Sequence, residues 1–154
     1  MQSMGVSQAE AKIVFILPTP PKGHYAIDAM GHVMQVDTQS IIEQDGNHWR
    51  KVLTIMAKLC APIRDNWRVY RDHELLQQDE RIEFEIPTVF LPSIQYFICG
   101  GEMQKKLNQE RLSPVYVNGK QTVAQCGQII FCPYLDYRQY PNADIELTRL
   151  AIAK

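Results

Sequence analysis

The chain has 154 residues, enough for one domain with a single sizeable core and too few for two ordinary domains. Its formal net charge is −1, with acidic and basic residues interspersed along the chain. This balance excludes the global positive field that draws many proteins onto DNA or anionic lipid, so any contact with nucleic acid is expected to be local.

The four cysteines, Cys60, Cys99, Cys126 and Cys132, form neither a CxxC pair nor a Cys/His cluster at zinc spacing. We interpret them as reduced, mostly buried thiols of a cytoplasmic protein, and we predict no metal site and no cofactor. No apolar run reaches the roughly 20 residues of a membrane span, and the N-terminus lacks a signal-peptide pattern. A soluble chain without a membrane partner is therefore expected.

Residues 1–11 are small and polar, and we expect them to form a flexible N-terminus ahead of a single domain over residues 12–154. The apolar run from Ile13 to Leu17 ends in a proline-rich loop, which is typical of a strand that is buried on both faces.

Apolar residues recur at helical spacing from His48 to Cys60 and predict a helix that stops before Pro62. Ser40 and Glu43 have the spacing of a capping box, which predicts a shorter helix before it, broken near Gly46.

Residues 73–80 favour a short helix by propensity, and the alternation in "RIEFEI" that follows favours an extended stretch. Residues 93–110 indicate a strand, a glycine turn and a helix, and "PVYVNGKQTVA" indicates a hairpin. The run "QIIFCPY" predicts a further buried strand, and a terminal helix follows with Asn142 as its N-cap. Strands that alternate with helices predict an α/β fold of three layers, with a mostly parallel sheet between helices on both faces.

Ligands of such sheets bind beyond the carboxyl ends of the strands, where loops diverge and helices begin. The loop after the first strand offers a hydroxyl, a cation, a titratable ring and a stacking surface, from Thr19, Lys22, His24 and Tyr25. A rigid exposed crossover is the alternative interpretation of this loop.

The other two loops are "CGGEM" and "CPYLDYRQYPN". In the first, Gly100 and Gly101 let the backbone approach a ligand at a helix start, although a plain tight turn explains them as well. In the second, Tyr134, Asp136 and Arg138 are groups that stack and form hydrogen bonds together. The alternative is a structural contact between Asp136 and Arg138.

These three stretches resemble, in type and order, the layout of the uracil-DNA glycosylase superfamily. "FILPTP" retains Pro20 of that superfamily's first motif, "FICGGEM" retains Gly100 of the second, and "FCPYLDY" retains Pro133 of the third. The resemblance implies a parallel sheet between helices over residues 12–154 and a pocket for a nucleobase.

The catalytic positions of these motifs are degenerate, so we expect an uncharacterised bacterial family. Thr19 stands where the superfamily has a water-activating polar or acidic residue, and Cys132 stands where it has a histidine. Threonine cannot act as that carboxylate, and cysteine is a poor substitute for a histidine that stabilises a leaving anion. Ordinary uracil excision is therefore not expected.

The first hypothesis is a binding protein for a nucleobase-like or other small ligand, or for DNA, with catalytic residues unknown. The second is a divergent hydrolase in which Asp136 or His24 supplies the acid or base. The third is a protein-interaction module, because tyrosine and arginine are enriched at interface hot spots. The sequence sets neither the oligomeric state nor the presence of an enzymatic activity.

Overall fold

The computed structural model describes residues 1–107 and 112–153, which form an α/β fold with one mixed sheet and four α-helices. The strands are β1 (Ser3–Gly5), β2 (Ile13–Ile16), β3 (His32–Val33), β4 (Glu80–Glu83), β5 (Gln95–Cys99), β6 (Val115–Tyr116), β7 (Ala124–Cys126) and β8 (Ile129–Cys132). The helices are α1 (Thr38–Cys60), α2 (Trp67–His73), α3 (Gly101–Leu107) and α4 (Asn142–Ile152). The end of the third predicted helix, residues 108–110, lies outside the described residues.

The strand order is β3-β1-β4-β2-β5-β8-β7-β6. The four central strands β4, β2, β5 and β8 are parallel, while β1 pairs antiparallel with β4 and β7 pairs antiparallel with β8. The chain moves from β2 outward to β4 and then returns to β5 on the other side. The gap between the carboxyl ends of β2 and β5 is therefore a topological switch point, where open α/β sheets bind ligands.

The first face of the sheet holds the larger core. Phe15, Ile82, Phe97 and Ile130 pack there against the apolar stripe of α1 and against Ile145 of α4. The rings of Phe15 and Phe97 are stacked with their centroids 4.6 Å apart. Each such ring contributes roughly 1.5–3 kcal/mol on full burial. Because this face holds most of the buried apolar side chains, it supplies most of the hydrophobic stabilisation.

The second face is apolar over only half of its width. Val14, Ile98 and Phe131 pack there with Met103 of α3 and with a loop that contributes Phe90. Over β3, β1 and β4 the residues that point to this face are polar: Ser3, His32, Arg81 and Glu83. That half of the face borders an open cavity.

The N-terminal residues, predicted to be flexible, instead form a strand inside the sheet. Met4 is fully buried, and β1 pairs with β3 on one side and with β4 on the other. Three residues are too few to show a hydrophobic alternation, so the pattern that marks longer strands is missing here.

The prediction of a short helix at residues 73–80 is wrong, because helix α2 lies before this segment and ends at His73. Leu76 has φ = 69°, a left-handed conformation that ends the helical turn. Leu75 and Leu76 are buried, so packing against the first core overrides helical propensity in this segment.

Helix α1 breaks at Gly46, as the sequence predicts, where φ is 73° and ψ is −152°. Its N-cap is Asp37, whose carboxylate accepts a hydrogen bond from the backbone N–H of Gln39 at 3.0 Å, so the predicted capping box at Ser40 is not used. Similarly, Pro141 and not Asn142 occupies the N-cap position of α4. Among the residues that the structure describes, no helix combines the length and hydropathy needed to cross a membrane.

The Gly46→Ala substitution is expected to lower the free energy of unfolding by about 1–3 kcal/mol, because only glycine readily adopts this backbone conformation. An added Cβ at Gly46 meets no atom within 4 Å, so backbone strain is the sole cause expected. Gly119→Ala is the matched control, since a Cβ there also meets nothing within 4 Å. Chemical denaturation measures both variants, and equal stabilities would contradict the assignment of strain to Gly46.

Candidate functional site

The loop after β2 is held against α1 by one carboxylate. Asp45 accepts hydrogen bonds from the backbone N–H groups of Lys22 and Gly23, at 2.6 and 3.1 Å, and from the Tyr25 hydroxyl at 2.6 Å. Burial, together with this carboxylate, raises the pKa of Tyr25 well above its usual value. These donors are already bonded to Asp45, so their role in this loop is structural. The side chains of Thr19 and His24 are exposed.

At the carboxyl end of β5 and β8, Tyr134 lies over Gly100. A Cβ at Gly100 would sit 3.5 Å from Cδ1 of Tyr134, and Gly100 itself has φ = 88°. The Tyr134 hydroxyl is 2.7 Å from Nε2 of His48, and the two rings are stacked with centroids 5.6 Å apart. Burial raises the pKa of Tyr134 to about 12.

The remaining residues of the third loop form a local turn. Asp136 accepts a hydrogen bond from the backbone N–H of Arg138 at 2.9 Å, which is the pattern of an Asx-turn. The Arg138 side chain is exposed, as is Gly101 at the start of α3. Asp136 and Arg138 thus make the structural contact that was the alternative to a binding site. The contact is made by the backbone N–H of Arg138 and not by its guanidinium.

The structure therefore brings the first and third predicted loops to one helix, on opposite sides of the break at Gly46. Asp45 holds the first loop, and His48 contacts Tyr134 of the third. Neither Asp45 nor His48 was among the predicted site residues, because each lies in a helix with nothing in its local pattern to indicate a distant partner.

A second region has more of the properties of a binding site. On the second face of the sheet a cavity of about 480 Å³ opens above β3, β1 and β4. We call it the polar cleft. Its floor is formed by Ser3, His32, Arg81 and Glu83, and its rim includes Asp28, Met30, Met34, Glu85 and Gln8.

A chain of hydrogen bonds fixes the floor of the polar cleft. Nε2 of His32 donates to the carbonyl of Gly5 at 3.0 Å, so Nδ1 carries no proton and accepts from the Ser3 hydroxyl at 2.7 Å. Arg81 donates from Nη2 to Ser3 Oγ at 3.0 Å and from Nη1 to the carbonyl of Val6 at 2.9 Å. These bonds hold the side chains of Ser3, His32 and Arg81 in one arrangement.

The pKa values in the polar cleft are shifted by this environment. Burial, and then the positive charge of Arg81, lower the pKa of His32, which therefore stays neutral near pH 7. Burial raises the pKa of Glu83, and Arg81 opposes that shift only in part. Hydrogen bonds from the backbone N–H groups of His32 and Met30 lower the pKa of Asp28. Shifted pKa values in an open cleft are typical of functional sites.

Sequence patterns missed every residue of the polar cleft. The one available signal was "RIEFE", in which Arg81, Glu83 and Glu85 share one face of a strand. That alternation ordinarily indicates a solvated face at a sheet edge, whereas β4 lies between β1 and β2. Within residues 1–107 and 112–153, no group of three or more His, Cys, Asp and Glu side chains is placed to hold a metal ion.

Comparison with protein families gave one match, which covers residues 4–153 and is described as "Family of unknown function (DUF6942)". The chain belongs to this family. Neither the curated proteins nor the solved structures gave a match. The match includes β1 from Met4 onward, together with β3 and β4, so the strands of the polar cleft belong to the family region.

We expect His32 to make the protein less stable as pH falls from 7.5 to 5. The unfolded chain binds a proton near the ordinary histidine pKa of about 6.5, while the folded state, facing Arg81 and Asp28, binds it only at lower pH. Protons therefore favour the unfolded state in this range. In His32→Gln the free energy of unfolding should fall less between these pH values than in the wild type.

Denaturant titrations at a series of pH values measure this difference. His73→Gln is the control, because His73 is exposed at the end of α2 and should keep the wild-type pH dependence. Identical pH profiles for the wild type and His32→Gln would show that His32 is not held neutral by burial.

Proposed function

We propose that the protein binds a small ligand in the polar cleft. The observation that carries this proposal is a buried, hydrogen-bonded set of polar and charged groups on the floor of an open cavity in the sheet face. Ser3 is 4% exposed, His32 7% and Arg81 8%, although all three border the cavity. A small number of polar groups fixed by hydrogen bonds on the wall of an open cavity is the usual arrangement by which a small-molecule site orients its ligand.

The charges of the polar cleft favour a free ligand over DNA. Asp28, Glu83 and Glu85 place three carboxylates around it, against the single guanidinium of Arg81. Phosphate groups would be repelled by this arrangement, whereas nucleic-acid sites are rich in lysine and arginine. A small molecule that donates hydrogen bonds is the better match.

NMR of the ¹⁵N-labelled protein with a fragment library tests the proposal. Bound fragments are expected to shift the amide resonances of Ser3, His32 and Arg81 in the wild type. Gln8→Trp should abolish these shifts, because Gln8 is an exposed residue at the cleft and an indole there fills the space. Gln78→Trp, in the exposed turn before β4, is the matched control and should leave them unchanged. Fragments that bind elsewhere, or none that bind, would contradict the proposal.

We propose a second candidate, the binding of a nucleobase, free or in DNA, at the switch point. Support comes from the motif-bearing loops, which follow three adjacent parallel strands, β2, β5 and β8. Helices α1, α2 and α4 on one face and α3 on the other add support for the glycosylase-like arrangement that the sequence resemblance implies. Tyr134 would supply the stacking surface and His48 a hydrogen-bonding partner.

Fluorescence anisotropy of labelled duplexes at two salt concentrations tests the second candidate. A duplex that carries uracil should bind more tightly than a normal duplex, and Tyr134→Ala should remove the difference, because the stacking surface is lost. Tyr116→Ala is the control, since Tyr116 is exposed on β6 at the far edge of the sheet. Equal binding of the two duplexes by the wild type would count against this candidate.

A further inference from the structure

Ser3 and His32 of the polar cleft have the arrangement of a nucleophile and its general base. Oγ of Ser3 lies 2.7 Å from Nδ1 of His32, within the hydrogen-bond range of such pairs. The two residues are neighbours because the register of β1 and β3 places Ser3 opposite His32. Both line the cavity of about 480 Å³. A hydroxyl and an imidazole are therefore held together at the wall of an open cavity.

The backbone fixes the protonation of the His32 ring. The carbonyl oxygen of Gly5 can only accept a hydrogen bond, so Nε2, 3.0 Å away, carries the proton, and Nδ1 keeps a lone pair. This lone pair accepts the hydroxyl proton of Ser3. Burial and the charge of Arg81 lower the pKa of His32, which keeps the ring in the neutral form that a general base needs. Gly5 thus orients the imidazole, the part that a carboxylate plays in a Ser-His-Asp triad.

The oxygen of Ser3 keeps one lone pair for a reaction. Its hydrogen is donated to His32, and one of its two lone pairs accepts from Nη2 of Arg81 at 3.0 Å. Among the described residues no third group forms a hydrogen bond with Oγ. The second lone pair is therefore available to attack an electrophilic carbon.

Arg81 supplies positive charge beside the attacking oxygen. Nη2 carries two N–H groups, of which one donates to Ser3, and the described residues offer no acceptor to the other. An N–H group at this position is suited to hold the oxyanion of a tetrahedral intermediate. The charge of Arg81 opposes protonation of His32, but the imidazolium and the oxyanion form together. Attraction to the oxyanion therefore offsets repulsion of the imidazolium.

We propose that the polar cleft hydrolyses a carboxylic ester, with Ser3 as the nucleophile and His32 as the general base. Oγ of Ser3 bonds to the carbonyl carbon while its proton passes to Nδ1 of His32, and the imidazolium then gives this proton to the departing alcohol. Water, deprotonated by the same nitrogen, cleaves the acyl–serine bond and releases the carboxylic acid. Arg81 holds the oxyanion in both steps.

The charges of the cavity narrow the substrate class. Asp28, Glu83 and Glu85 line the same cavity, which favours a neutral ester over one that carries a carboxylate or a phosphate. Hydroxyl or N–H groups elsewhere on the substrate would find acceptors in these side chains. This inference rests on the proposed function of the polar cleft and names the reaction of its ligand.

Covalent labelling of the wild type tests the nucleophile. Phenylmethylsulfonyl fluoride is neutral, and attack of a serine oxygen on its sulfur displaces fluoride and leaves a sulfonyl group on the serine. Peptide mapping by mass spectrometry is expected to find the adduct at Ser3. In His32→Gln the rate of labelling should fall by about 100-fold, because the base is lost. Modification of other residues only, or of none, would overturn the assignment of Ser3, and an equal rate in His32→Gln would overturn that of His32.

Hydrolysis of p-nitrophenyl acetate measures the complete reaction. Ser3→Ala and His32→Gln are each expected to lower the rate by about 100-fold, because the nucleophile or the base is lost. Ser93→Ala and His73→Gln, at exposed positions outside the cleft, are the matched controls and should keep the wild-type rate. Circular dichroism verifies that each variant is folded. An unchanged rate in folded Ser3→Ala contradicts the proposal, and if this variant does not fold, the labelling of the wild type decides.

The outcomes separate this inference from the proposed function. If the fragments of the NMR experiment bind in the polar cleft while Ser3 is not labelled, the reaction is wrong and the binding cleft stands. If fragments do not bind there and Ser3 is not labelled, both proposals fail.

Discussion

The antiparallel pairing of β1 with β4 is the interaction on which the candidate site depends. Its register places Ser3 opposite Glu83 and Gly5 opposite Arg81. Gly5 makes the close approach possible, because a Cβ there would lie 2.6 Å from the carbonyl oxygen of Glu80. Without β1 and the residue that follows it, Arg81 would lose Ser3 and Val6 as hydrogen-bond acceptors, and β3 would have no strand to pair with. Three residues near the N-terminus thus complete both the sheet edge and the cleft floor.

The polar half of the second face has an energetic cost that the rest of the fold offsets. A buried guanidinium and a partly buried carboxylate are less stabilising than apolar residues of the same size in a well-packed sheet. Hydrogen bonds from Arg81 to Ser3 and Val6 recover part of that cost. Local violations of the hydrophobic pattern in an otherwise consistent fold are expected at functional sites, and this is the reason that we assign the candidate site to this face.

The strongest elements of the fold could be predicted from the sequence. Continuous apolar runs revealed β2 and β8, and the helical spacing of Trp49, Val52 and Met56 revealed α1. Strands β1 and β3, with three and two residues, carry no periodicity of their own. Strand β1 forms because β4 offers it hydrogen-bond partners, and β3 forms because β1 does. The polar cleft is built from these two strands and β4, so it depends on pairings that no local pattern indicates. For the same reason, local sequence patterns do not predict the contact of Tyr134 with His48, which are 86 residues apart.

The break in α1 has a mechanical consequence. The loop after β2 is fastened to Asp45, one residue before the break, and Tyr134 contacts His48, two residues after it. Each half of the helix contacts one loop at the carboxyl end of the parallel strands, the loop after β2 or the loop after β8, and Gly46 lies between the two contacts. The backbone angles of this glycine set the direction of the first half of the helix relative to the second, and with it the positions of Asp45 and His48 relative to each other. Two loops far apart in the sequence thus take their relative placement in part from one backbone position, which lies in neither loop.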